Sequence, residues 1–183
     1  AILYELKRKG QIYFLANRIH KIPALLEELK TLKTGAKIGV LHGRMNERQI
    51  IKTMHDFRGG RFDLLVSTTI IENGLDLSNA NTLIVEDSTR LGLSQAHQLR
   101  GRIGRGEKAA YAYFLYSTKK LKNKAAERLE ALERYSWLGA GLEIAKRDLE
   151  IRGAGNILGR AQSGIAFRVG LNLYFELLEE AVA

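Results

Sequence analysis

Between Gln11 and Ser117, short runs of β-branched and aromatic residues alternate with longer segments whose apolar residues recur every three or four positions. This alternation narrows the choice of fold more than any other feature of the sequence. The runs at 11–16, 36–41, 62–67, 82–86 and 110–116 read as buried strands. Strands separated by crossover helices pair in parallel, because tight hairpins join only antiparallel neighbours. The fold class is therefore α/β. In open sheets of this kind ligands gather beyond the carboxyl ends of the strands, in the loops that lead into helices.

The helical segments carry local signals of their own. Ile22, Leu25, Leu26, Leu29 and Leu32 recur at helical spacing, with Pro23 where a first turn tolerates it. Asn46 and Gln49 have the spacing of a capping box. Ile50, Ile51, Met54 and Phe57 supply the apolar face behind it, and Gly59 and Gly60 stop the helix. After Ser117 the strands cease, and a boundary is expected near Leu121, giving domains at 1–120 and 121–183. Leu129 and Leu132 mark one helix ending near Gly139, and Leu142, Ala145 and Leu149 mark the next, which suggests a helical hairpin. The glycine-bearing stretch 153–164 reads as loop, and Leu171, Tyr174, Phe175 and Leu178 form a last amphipathic stripe.

Composition excludes several classes. No apolar run approaches the roughly 20 residues of a membrane span, and no secretory signal opens the chain, so a cytoplasmic location without membrane contact is expected. With no cysteine there is no disulfide framework and no thiolate metal site, and no metal ligands are assigned. The 29 Lys and Arg against 20 Asp and Glu leave a net charge of +9. That excess fits a nucleic-acid partner and fits equally well a surface that keeps the protein soluble.

The richest segment is 98–106. On a helix, Gln98, Arg102 and Arg105 share one face while Leu99 and Ile103 share another. Gly101 and Gly104 would each cost about 1 kcal/mol in a helix interior, which points to close approach by another backbone or a ligand. Paired, permanently charged arginines suit a phosphoryl group in transfer, which ranks this reading above a merely solvated basic face. The segment 68–76 follows an apolar strand, so its hydroxyls and backbone N–H groups can hold a phosphate and Asp76 can accept from a ribose hydroxyl. An ordinary helix start accounts for the same residues when they are taken alone. His42, Gly43 and Arg44 follow another strand and by themselves carry no assignment.

Taken together, these clusters resemble the C-terminal motor lobe of superfamily-two helicases and translocases. The stretch 98–105 is similar to that superfamily's sixth motif and 68–76 to its fifth. Residues 68–72 (TTIIE) and 91–100 (LGLSQAHQLR) narrow the resemblance to the RecG and Mfd branch of double-stranded-DNA translocases. Residues 147–155 (RDLEIRGAG), with Gly159, Gln162, Ser163 and Gly164, resemble that branch's translocation motif. Ala154 stands where RecG carries proline, and 172–182 (NLYFELLEEAV) is similar to the segment after the motif in the Mfd family of transcription-repair coupling factors. The resemblance covers nearly the whole chain. Asn73 departs from the usual small or β-branched residue, away from the chemistry.

The resemblance implies a RecA-like parallel sheet flanked by helices, followed by a helical hairpin and loop extension. It implies that Arg102 and Arg105 reach the γ-phosphate of ATP, with Arg105 as the arginine finger and Gln98 aligning them. Gly74 and Asp76 would border the nucleotide. Asn17, His42, Arg44, Thr68 and Thr69 would contact the backbone of double-stranded DNA, and Arg147, Arg152 and Gln162 would couple lobe closure to DNA movement. The sequence contains no Gly-x-x-x-x-Gly-Lys-Ser/Thr loop, so ATP with Mg2+ would be held mainly by a first RecA-like lobe that this chain lacks, and the fragment alone would be inactive. Glu86 and Asp87 follow a strand but have no phosphate loop upstream, and are not taken as an acidic metal pair. By the same resemblance, RNA polymerase and an excision-repair protein would be engaged through other domains. A RecG-type branch-migration lobe and a catalytically inert DNA-binding module are the rival assignments.

Overall fold

The computed structural model describes residues 1–68, 80–104, 108–121, 123–137 and 139–152. Its elements run α1 (Ile2–Lys7), β1 (Gln11–Leu15), α2 (Ile22–Thr31), β2 (Ile38–Leu41), α3 (Glu47–Arg58), β3 (Leu64–Ser67), β4 (Ala80–Val85), α4 (Leu93–Arg100), β5 (Tyr111–Phe114), α5 (Asn123–Arg134) and α6 (Gly141–Arg152). The chain divides into two compact units, one of residues 1–91 and 95–121 and one of residues 92–94 and 122–183.

In the first unit five strands form a parallel sheet in the order β2-β3-β1-β4-β5. The expected alternation of strand and helix is realised at α2, α3 and α4, each of which returns the chain to the edge from which the next strand starts. The register sets Phe14 opposite both Val66 and Ile84, and these join Ile12, Leu64, Ile22, Leu25 and Leu29 in one buried cluster between sheet and helices. Strands β1, β3 and β4 are buried along nearly their whole length, as parallel strands covered on both faces must be. Strand β5, at the edge, alternates half-buried and exposed residues.

Local signals act where they stand. Asn46 Oδ1 accepts from the Gln49 N–H at 2.9 Å and Gln49 Oε1 accepts from the Asn46 N–H at 3.1 Å, closing the capping box of α3. Helix α3 ends at Arg58, and Gly60 takes the left-handed conformation at φ +72°. Two residues of the expected apolar faces point outward: Leu32 lies beyond the end of α2, and Ile51 sits on the solvent side of α3, where Met54 and Phe57 are the buried pair.

The amino edge of the sheet is held by a group that amphipathicity hides. Glu5 of α1 is wholly buried, and its Oε2 accepts from Thr82 Oγ1 of β4 at 2.6 Å. Its Oε1 lies 3.4 Å from Arg8 Nε. A Cβ on Gly10 would fall 1.6 Å from that same Oε1, so the carboxylate occupies the space that any side chain at position 10 would need.

In the second unit α5 and α6 pack on one another. The expected face of the second helix, Leu142, Ala145 and Leu149, is not the buried one. Ile144, Asp148 and Ile151 are buried instead, and Leu142 is exposed. The two stripes are offset by about two residues along α6, which rotates the helix by roughly half a turn. A buried acid makes the inner stripe unreadable from hydropathy: Asp148 accepts from Ser94 Oγ at 2.7 Å, and this hydrogen bond offsets the cost of its burial.

Candidate functional site

Helix α4 is seated by Leu93, Ala96 and Leu99, followed by Ile103, all buried. Gln98 points to solvent. The helix stops at Arg100, so Arg102 does not continue the helical face of Gln98. Residues 101–104 make a turn in which the Gly101 N–H donates to the His97 carbonyl at 3.0 Å and the Arg102 N–H to the Leu99 carbonyl at 3.2 Å. Gly104 has φ +69°, which a right-handed helix cannot contain, and its N–H donates to the carbonyl of Ala80 at 3.0 Å. A Cβ there would meet Ala110 Cβ at 2.1 Å. Close approach thus explains Gly104. At Gly101, among the described residues, a Cβ would meet carbonyl oxygens at an ordinary 3.6 Å.

The turn presents Arg102 half-buried, and Arg105 lies outside the described residues. A half-buried guanidinium on a fixed turn suits the oxygens of a polyphosphate in charge and in donor geometry.

Helix α4 also carries a pair that motif reading passed over. Arg100 Nη2 and His97 Nδ1 stand 3.0 Å apart. Burial, and then the positive charge of Arg100, hold the His97 imidazole below its ordinary pKa, while burial lowers Arg100 as well. A neutral His97 therefore accepts at Nδ1 and keeps its proton at Nε2. Their i, i+3 spacing on one helix is the signal that was available in the sequence.

A second group forms at the opposite edge. Because Leu41, Ser67, Leu15 and Val85 stand in register, the residues after them line one border of the sheet. His42, Thr68 and Asn17 follow three neighbouring strands and fall within a span of about 10 Å at the usual strand spacing. Asn17 is anchored, its N–H donating to Glu86 Oε2 at 3.2 Å and its Nδ2 to the Asp87 carbonyl at 3.3 Å. Glu86 also faces Lys21 Nζ at 3.9 Å. Thr68 Oγ1 and His42 Nδ1 are buried and have no hydrogen-bond partner among the described residues. Arg44 is exposed on the turn closed by the Met45 N–H and the His42 carbonyl. Thr69, Gly74 and Asp76 lie outside the described residues.

The structure therefore assembles Asn17, His42, Arg44 and Thr68 at the carboxyl edge and sets Gln98 and Arg102 toward the amino edge, where Gly104 meets the first residue of β4. Helix α4 runs between the two. In the second unit Arg147 is a strut of the helical hairpin, with Nη1 2.7 Å from Glu150 Oε2 and Nη2 3.6 Å from Glu127 Oε2 on α5. The hydrogen bond to Glu150 raises its pKa further. Arg152 closes α6, and Gln162 lies outside the described residues.

Comparison with known proteins matches residues 1–107 to the helicase conserved C-terminal domain. The transcription-repair-coupling factor of Staphylococcus haemolyticus strain JCSC1435 is 52% identical over 183 residues, which is 100% of this chain and 16% of that protein. The one from Staphylococcus aureus strain USA300 is 50% identical over the same span and share. The chain thus spans about a sixth of the length of the curated relatives it matches. Among solved structures, RecG bound to a three-way DNA junction superposes with a TM-score of 0.70 at 36% identity, covering 85% of this chain and 20% of that one. The C-terminal domain of the DEAD-box protein Dbp5 shares the fold, with a TM-score of 0.56 at 20% identity over 74% of this chain and 76% of that domain.

Proposed function

The chain belongs to the family of helicase conserved C-terminal domains, and on that premise we propose that it is the second motor lobe of an ATP-dependent double-stranded-DNA translocase. In the complete polypeptide this motor displaces stalled RNA polymerase and couples transcription to nucleotide excision repair. The observation that carries the reading is identity of 50–52% with transcription-repair-coupling factors over all 183 residues of the chain, those after the hairpin included. A RecG-type branch-migration lobe is the rival within the same class. The similarity to RecG favours it, but at 36% identity that similarity is the weaker.

Arg102 and Arg105 stabilise the negative charge that develops on the transferred γ-phosphoryl group, with Gln98 aligning them. Bound between the lobes, ATP with Mg2+ supplies that group, held by a phosphate loop on the first lobe and bordered here by Gly74 and Asp76. Asn17, His42, Arg44, Thr68 and Thr69 hold the DNA backbone without reading bases. Closure of the lobes moves this edge along the duplex, and the segment with Arg147, Arg152 and Gln162 transmits the motion. Among the described residues no helix is long and apolar enough to cross a membrane.

Two measurements test the reading. DNA affinity of the lone chain is expected to fall steeply with salt, and Arg44→Ala should reduce the slope of log K against log salt by about one. A slope that Arg44→Ala leaves unchanged would place the duplex elsewhere. In the complete polypeptide, Arg152→Ala is expected to leave DNA-stimulated ATP hydrolysis in place while abolishing displacement of a bound obstacle. Equal loss of both activities would assign Arg152 to the ATP site or to folding.

A further inference from the structure

Arg8 belongs to none of the motifs, yet it ties α1 to the chain just beyond the arginine turn. Its Nη2 donates to the carbonyl of Ala109. Its Nε lies against the buried carboxylate of Glu5 at 3.4 Å, and that carboxylate is fixed in turn by Thr82 at 2.6 Å. The rings of Tyr4 and Tyr111 flank the guanidinium, with centroids 5.4 and 5.3 Å from its central carbon. Lys108 closes the clasp from the other side, its Nζ donating to the carbonyls of Arg8 at 3.0 Å and Lys9 at 3.2 Å. The next residue along, Ala110, is the one against which Gly104 is packed. Gly104 ends the turn that presents Arg102, and it is held on its other side by the hydrogen bond from its N–H to the Ala80 carbonyl.

We propose that Arg8 is a positioning residue for the arginine turn. By fastening residues 108–109 to α1 it fixes Ala110, Ala110 sets the place of Gly104, and Gly104 sets the depth at which Arg102 is presented. The inference rests on the motor reading, in which Arg102 faces the nucleotide. An arginine is needed because one side chain must set its positive charge beside a buried carboxylate and donate to a carbonyl at the same time between two rings, which a planar fork does and a single ammonium does not. Glu5 holds the fork, and the contact from Thr82 holds Glu5.

The test uses the complete polypeptide and the variant Arg8→Lys, which keeps a positive charge beside Glu5 but cannot also reach Ala109. The expected result is a fall in kcat for DNA-stimulated ATP hydrolysis on the order of tenfold, since small misplacements of a catalytic charge carry penalties of that order or more. KM for ATP and the thermal midpoint should stay as in the parent protein. In an Arg102→Ala background, Arg8→Lys should add no further loss. An unchanged kcat, a change confined to KM, a lowered thermal midpoint that accounts for the lost rate, or a full loss that persists in the Arg102→Ala background overturns the proposal. The single variant Arg102→Ala separates the two levels of argument. Full activity in that variant sinks the motor reading and this inference with it, whereas an impaired Arg102→Ala beside a fully active Arg8→Lys sinks the positioning role alone.

Discussion

Arg105→Ala in the complete polypeptide is expected to lower the rate of DNA-stimulated ATP hydrolysis by about 10³-fold, the lower range for loss of an arginine finger. The loss should fall on kcat, with KM for ATP little altered, because a charge that meets the phosphoryl oxygens chiefly in the transition state contributes little to ground-state binding. Arg105→Lys should recover only a small part of the rate: an ammonium offers a point charge where a fixed planar fork is wanted. The frame for this residue is the turn before it. Gly104, which ends that turn, is committed to a left-handed backbone and bonded to Ala80. Steady-state ATPase assays with saturating DNA decide the matter. A rate within a few-fold of the parent would remove Arg105 from the chemistry and leave the chain with a DNA-binding role only.

Gly10→Ala is expected to destabilise the sheet by roughly 3 kcal/mol, at the upper end for forcing atoms into a filled site. The added methyl would fall 1.6 Å from Glu5 Oε1 and 2.6 Å from its Cδ. Glu5 is wholly buried, and moving it would break the bond from Thr82 and the pairing with Arg8. Such a loss is a large share of the roughly 5–15 kcal/mol that holds a domain together. Urea titration of the single and double variants provides the check. Removing the obstruction with Glu5→Ala should make Gly10→Ala nearly harmless, so the two losses should fall well short of their sum. Strict additivity would show that the glycine is needed for its own backbone and not for the carboxylate.

What the sequence disclosed and what it hid divide along physical lines. Strand positions were legible because parallel strands covered on both faces must be apolar throughout. All five runs became strands, with ends shifted by at most two residues. The capping box of Asn46 and Gln49 was legible because both of its hydrogen bonds close within four residues. Strand order was not, since it depends on which crossover passes which strand. Glu5 was hidden because an acid on a short amphipathic helix reads as solvated, and the partner that buries it lies 77 residues away. The inner face of α6 was hidden by Asp148 for the same reason. At the candidate site, the carboxyl-end rule foretold a border shared by Asn17, His42 and Thr68, for it needs only parallel strands. It did not foretell that Arg102 would stand toward the other end of the sheet. Helical periodicity was carried through Gly104, whose conformation breaks it, and only the packing of Ala110 against that glycine reveals why.

The order of the strands has a consequence for how the protein is made. Strand β1 lies at the centre of the sheet but leaves the ribosome before the other four strands, and its two neighbours, β3 and β4, begin at Leu64 and Ala80. At about 5–20 residues per second, an apolar ribbon waits several seconds for its partners during synthesis. Throughout that interval it is a sticky template for any other nascent strand nearby. Translation speed over residues 16–80, and chaperones able to shelter QIYFLA meanwhile, therefore bear on yield in a cell without altering a single contact of the finished molecule.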